Sequence, residues 1–160
     1  MRLTSEQPVR DVFGGRTLAG LMSLYEENYV RMWRLLQGHE PAGRGAVSHM
    51  PGDLDLHLSV LERCRYTTTY HLTYYFTEDG VLVPDPDLHV RVYRDARMAE
   101  TVHCGRNSHL SFLRPYRPNA GSWLQRRWEM NLLLSKWLSY CIGKGHRFRV
   151  SGHSSDPLSV

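Results

Sequence analysis

Between Leu88 and Cys104 the chain reads LHVRVYRDARMAETVHC, and a histidine, an arginine and a tyrosine occupy every second position of its first half. Alternation at that period marks a half-buried strand, with Leu88, Val90 and Val92 on one face and His89, Arg91 and Tyr93 on the other. If Asp95-Ala96 closes a tight hairpin, Arg91 stands across from Glu100, Tyr93 from Met98 and Val92 from Ala99. A guanidinium, a carboxylate, a phenol and an imidazole side by side could bind a small anion or carry general acid-base chemistry. The competing account is plain: an opposed Arg and Glu is cross-strand glue of about 0.2–1 kcal/mol.

The other reactive residue types yield less. None of the histidines falls in an HxH, HExxH or paired Cys/His spacing, so no metal is expected from the spacing. Cys64, Cys104 and Cys141 are odd in number and far apart, which indicates neither a disulfide framework nor a zinc ribbon, and they read as thiols in a reducing compartment. Gly14-Gly15 and Gly43-Arg44-Gly45 lack the lysine and the strand-to-helix context of a phosphate loop, so no cofactor is expected. No catalytic residue is assigned. Arg63, Arg65, Arg114 and Arg117 interleave with Tyr66 and Tyr116, a mixture of cations and aromatics that suits single-stranded RNA or DNA. No helix-turn-helix or RNA-recognition signature accompanies them, and nucleic acid ranks second among the functional classes.

Four alternating segments must position these groups. Leu54, Leu56, Leu58 and Val60 alternate with Asp55, His57 and Ser59; Tyr66 to Phe76 alternates with Thr67, Thr69, His71, Thr73 and Tyr75. Keeping both apolar sets on one face requires Val60 opposite Tyr66 or Thr68. Val81 to Val83 predicts a short edge strand, and the Leu88–Cys104 hairpin follows the Pro84-Asp85-Pro86 break. Leu110 to Leu113 is a further strand candidate, and His146 to Val150 a return to the sheet edge. His39 to Asp53, rich in Gly, Pro and His and without a period, reads as a loop.

Two helices complete the set. Thr17 can cap one in which Leu18, Leu21, Met22, Tyr25, Tyr29, Met32, Leu35 and Leu36 form a stripe ending at Gly38. Ser122 can cap the other, from Trp123 and Leu124 through Trp128, Leu132 and Leu138 to the stop at Gly143-Lys144-Gly145. Helix, antiparallel strands and helix predict an α+β domain of two layers, an antiparallel β-meander with both helices packed on one sheet face. At 160 residues one core is the default, and the domain is placed at 17–150 between a loose arm at 1–16 and a disordered tail at 151–160. The net charge of +4 rests almost wholly on arginine and carries little weight. The N-terminus lacks an apolar signal core and no run reaches the length of a membrane span, so a soluble cytoplasmic protein is expected.

Three motifs in order, Glu62-x-x-Arg65-Tyr66-Thr67-Thr68, Arg91-Val92-Tyr93-x-Asp95-Ala96-x-Met98-Ala99-Glu100 and Trp137-Leu138-x-Tyr140-Cys141-Ile142-x-x-Gly145, give the chain a family likeness. Together with Leu24-Tyr25-Glu26-x-Asn28-Tyr29 and Pro118-Asn119, they make it resemble the YqiB-like family of small proteobacterial cytoplasmic proteins, which carry a domain of unknown function. The resemblance implies a soluble, cytoplasmic single domain and brings no activity with it. Where that family has an Asp-Glu-Lys run early in its last helix, this chain reads Gln125-Arg126-Arg127-Trp128, which counts against an enzyme whose acid sits there.

The leading expectation is a non-enzymatic module that binds a partner protein or a small anionic ligand through the polar sheet face and adjoining loops. Its candidate residues are Arg65, Tyr66, His71, His89, Arg91, Tyr93 and Glu100. An enzyme using Glu100 or a histidine as base is the third class.

Overall fold

The computed structural model describes residues 17–105, 108–119 and 121–149. In chain order it has α1 (Leu18–Leu35), β1 (Gly45–Ser48), β2 (Leu56–Arg63), β3 (Thr67–Glu78), β4 (Val81–Asp85), β5 (Leu88–Tyr93), β6 (Met98–Cys104), a short 3-10 turn (Ser111–Leu113) and α2 (Trp123–Gly143). The expected arm at 1–16 and tail at 151–160 lie outside the described residues, as does Val150. No described helix is long and apolar enough to cross a membrane.

All strands are antiparallel, in the order β1-β2-β3-β5-β6, with β4 on the same edge of β3 as β5. The fold is therefore α+β, as expected, but not a plain meander. The first half of β3 pairs β5, from Thr67↔Tyr93 to His71↔His89, and its second half pairs β4, from Tyr74↔Asp85 to Glu78↔Val81. The apolar side expected from alternation is the buried one: Leu56, Leu58, Tyr70, Leu72, Tyr74, Leu88, Val90 and Val92 lie in the main core.

The helices cover that apolar face. Leu134, Trp137 and Leu138 of α2 join the sheet residues in the core, and Trp137 Nε1 donates to the Leu72 carbonyl at 3.2 Å. Thr17 caps α1 by accepting from the Gly20 N–H. Ser122 caps α2 in a reciprocal pair with Gln125, satisfying two end donors at once. The exposed edge of β6 is also closed. Asn131 Oδ1 accepts from the Thr101 N–H at 2.9 Å, and its backbone carbonyl accepts from Asn28 Nδ2 at 3.1 Å, tying α1, α2 and the edge strand together. Beyond that edge a smaller cluster of Leu21, Leu24, Tyr25 and Trp128 takes in Met98, so α1 wraps the rim as well as the face.

Several expectations are corrected. Gly45–Ser48, inside the expected loop, is an edge strand paired with β2. Its four residues are too few, and too near Gly43 and His49, for a period to show. Leu110 to Leu113 turns as a 3-10 helix instead of adding a strand. His146 to Arg149 forms no strand; the Phe148 N–H donates to the Leu35 carbonyl at the end of α1. Val60 pairs Tyr70, not Tyr66 or Thr68, because the turn sets Arg63 opposite Thr68 and Glu62 opposite Thr69, and the extra residue Leu61 then brings Val60 opposite Tyr70. A second shift between His89 and Val90 sets Val90 opposite Thr101 but His89 opposite His103. A bulge of this kind re-aims a side chain: without it His103 would point with Thr101 into the core.

Candidate functional site

The face opposite the main core carries three rows of side chains, polar except for Met98, and the first two meet α1 at the β6 rim. At one end Tyr93 pairs Thr67 and Met98; next come Thr69, Arg91 and Glu100; then His71, His89 and His103. The expected Arg91↔Glu100 and Tyr93↔Met98 pairs are thus present. Their contacts differ from the expected ion pair. Glu100 Oε1 accepts from the Tyr93 hydroxyl at 2.6 Å, and burial, with the Glu100 carboxylate beside it, holds the Tyr25 phenol well above its ordinary value. Arg91 donates from Nε to Thr69 Oγ1 at 3.3 Å and forms no ion pair among the described residues.

The histidine row closes on Asp87, at the start of β5. Asp87 Oδ1 lies 2.9 Å from His71 Nε2 and 3.9 Å from His89 Nε2, and Asp87 Oδ2 lies 3.8 Å from His103 Nε2. The His71 and His89 rings stand edge to face at 5.3 Å, and those of His89 and His103 are 4.5 Å apart. His71 Nε2 is fully buried and, despite its nearness to Asp87, makes no hydrogen bond among the described residues. Burial, then the neighbouring His103 and His71, pull the His89 pKa below its ordinary value, so its ring keeps a free lone pair. The ligand atoms of His71, Asp87 and His89 all lie within 4.8 Å of one another, a spacing that could hold a metal ion. Asp87 also borders an open cavity of about 560 Å³ lined by Glu78, Val83, Pro84, Asp85, His109 and Asn119.

Sequence reasoning placed His71 and His89 on this face but passed over Asp87 and His103 and expected no metal. His71, His89 and His103 come from three strands and Asp87 from the residue before β5, so spacing along the chain does not show such a set. The signal that could have found it is cross-strand register, and the bulge before His103 hides even that.

The remaining candidates lie elsewhere. Arg65 and Tyr66 occupy the β2–β3 turn, stacked on one another at 5.3 Å, and Tyr66 is exposed. The same turn is held by Arg94, which donates to the Cys64 and Arg65 carbonyls and pairs Glu40 at 2.8 Å. Arg63 donates to the Pro41 and Gly43 carbonyls. Arg114, Tyr116 and Arg117 follow the 3-10 turn, which is anchored near the other end of β5 by Ser108 and His109 bonding Asp85. Tyr116 packs partly into the core, and the Arg117 N–H donates to Glu129. The two arginine clusters therefore sit at opposite ends of the sheet and form no single stripe.

A second set of reactive types was not anticipated. His146 lies 2.9 Å from Ser48 Oγ through Nδ1 and 2.9 Å from Asp53 Oδ2 through Nε2, and the Tyr74 hydroxyl donates to the same oxygen at 2.6 Å. The composition is that of a hydrolytic triad. Its imidazole is fully enclosed and the serine oxygen already accepts from the Arg147 N–H, so the chain of bonds works as a staple between β1, the following loop and the C-terminal segment. Cys104 offers no nucleophile either, since burial, with Asp87 adding to it, pushes its thiol up to about 12.

An open antiparallel sheet backed by two helices, with a basic and imidazole-rich outer face, defines this chain as a two-layer α+β domain. It belongs to the family described as "Protein of unknown function (DUF1249)", whose match covers residues 31–147 and so takes in every strand and all of α2. Among curated proteins and among solved structures, no match to the chain is found.

Proposed function

We propose that this domain is a binding module that takes a small anionic ligand on its polar sheet face, with Arg91 as the anchoring charge. One observation carries the reading: the carboxylate set opposite Arg91 by the ladder is held by the Tyr93 phenol, leaving the guanidinium without an ion-pair partner among the described residues. A half-buried arginine of this kind offers a planar fork of donors suited to carboxylate or phosphate. Thr69 and Tyr93 flank it as neutral hydrogen-bonding groups, and His89 is its neighbour one step along the same face.

Titration of the protein with inorganic phosphate and with small mono- and dicarboxylates, read by calorimetry, tests the proposal. At least one of these anions should bind with an affinity that falls as salt is raised, and Arg91→Gln should weaken it by about tenfold or more. If no anion binds, or if Arg91→Gln binds as well as the parent chain, the reading fails.

A further inference from the structure

We propose that His71, Asp87 and His89, with His103 as the fourth ligand, bind a divalent first-row transition-metal ion of the class typified by Zn²⁺. This goes beyond the anion-binding reading and does not depend on it.

The donor set is the starting point. Neutral imidazole nitrogen and carboxylate oxygen are the ligands that zinc and its neighbours take at about 2.0–2.2 Å. In a tetrahedral site with such bonds the ligand atoms stand about 3.4 Å apart. The ligand atoms of His71, Asp87 and His89 already lie within 4.8 Å of one another, and His103 Nε2, outside that group, stands 3.8 Å from the other Asp87 oxygen, so its ring has to turn inward to serve as the fourth ligand. All three imidazoles present Nε2 toward the same carboxylate.

The alternative is a proton shared between Asp87 and one imidazole. It accounts for one ring beside the carboxylate and gives the other two no part. The 2.9 Å contact of His71 Nε2 with Asp87 is also out of line for a hydrogen bond, so the buried nitrogen faces the carboxylate without sharing a proton with it. A cation at the shared centre would give that buried nitrogen the partner it lacks.

The backbone prepares the place. The Gly105 N–H donates to the Asp87 carbonyl at 2.7 Å, which fixes the residue beside the histidine row. A Cβ at position 105 would stand 2.6 Å from Asp87 Cβ and 2.7 Å from Oδ2, so the close approach of the two segments requires glycine. The bulge ahead of His103 turns that side chain out of the core and into line with His89.

The test is titration of the full chain with Zn²⁺ by calorimetry, beside the absorption spectrum of the Co²⁺-loaded protein. One equivalent of Zn²⁺ should bind, and Co²⁺ should give the visible bands of a four-coordinate site. His89→Ala and Asp87→Asn should each weaken Zn²⁺ binding by about 100-fold or more, and His103→Ala by at least about tenfold. His49→Ala and His109→Ala, which alter exposed pairs with Asp55 and Glu78, should leave it unchanged. Circular dichroism confirms that each variant is folded, and the Co²⁺ spectrum of the parent chain depends on no variant. Equal Zn²⁺ affinity in the parent and in the His71→Ala/His89→Ala double variant would overturn the site. So would binding that follows His49 or His109, or a Co²⁺ spectrum of six-coordinate form. Unchanged affinity in His103→Ala would overturn its place as fourth ligand.

Discussion

Glu40 and Arg94 illustrate how much a single residue can carry without any pattern to announce it. Glu40 Oε1 accepts from the Thr68 hydroxyl at 2.7 Å, the Tyr70 hydroxyl at 3.2 Å and Arg94 Nη1 at 2.8 Å. Arg94 in turn donates to Thr68 Oγ1, so the threonine hydroxyl receives from the cation and gives to the carboxylate. Burial alone would raise the Glu40 pKa, but the hydrogen bonds from Thr68 and Tyr70 and the Arg94 charge outweigh it and hold the group below its ordinary 4.5. In the unfolded chain the group gains its proton first as pH falls. Its contribution to stability is therefore whole above that ordinary value and is lost as pH drops through the lower folded value. Urea midpoints compared between about pH 6 and pH 3 should show a shallower acid decline in Glu40→Gln than in the parent chain. Identical slopes would mean that the carboxylate charge contributes nothing. Neither residue is legible from the sequence: Glu40 lies in an aperiodic stretch, and Arg94 borders the Asp95-Ala96 turn, where no pattern assigns it a partner. Arg91 and Glu100 were legible as a pair, because alternation and the short turn between β5 and β6 fix who faces whom. That Glu100 would bond a phenol instead was not, since register places Cα atoms and leaves side chains a choice of neighbours.

At the scale of elements the strands were readable wherever one face is buried along their length, and unreadable where a single inserted residue changes parity. Ladder shifts at Leu61 and before His103 leave the local alternation intact on either side, so no window of sequence shows them. The edge of β6 is another case. Asn131 sits among apolar residues on the buried side of α2, where composition would ask for leucine, and its amide closes a strand edge that would otherwise present open donors. Its Nδ2 also donates to the Arg127 carbonyl at 2.8 Å. Asn131→Leu keeps much of the volume but strands the Thr101 N–H in a dry interior, and should destabilise the domain by about 2–3 kcal/mol. Thr101→Val removes only the hydroxyl bond to the Met130 carbonyl and should cost about 1 kcal/mol. Urea denaturation separates the two, and faster hydrogen exchange at the Thr101 amide in Asn131→Leu would locate the loss at the edge. Equal costs for the two variants would show that the side-chain cap is not what protects β6.

For the whole molecule, parity makes the apolar side the natural one for the helices to cover but leaves open both that choice and how the C-terminal segment closes the core. Both ends of that closure are single residues: Phe148 is almost fully buried in the main core, with its N–H on the Leu35 carbonyl, and His146 is enclosed between Ser48 and Asp53. The strap between them thus joins the end of α1 to β1 and the loop after it, contacts distant in sequence that no periodicity encodes. Truncating a buried phenylalanine costs about 3–5 kcal/mol, and removing a buried imidazole that serves two polar partners about 1–3 kcal/mol. If each residue acted alone, Phe148→Ala and His146→Ala would add. The strap is only three residues from one anchor to the other and forms no strand of its own, so loss of the Phe148 anchor leaves little to hold His146 in place. The double variant should then fall within about 0.5 kcal/mol of Phe148→Ala alone, the deficit from additivity measuring the coupling through the strap. Denaturant midpoints at constant slope give all four corners of that cycle. A strictly additive result would show that the two anchors hold independently, and that the segment is fastened at two separate points and not as one piece.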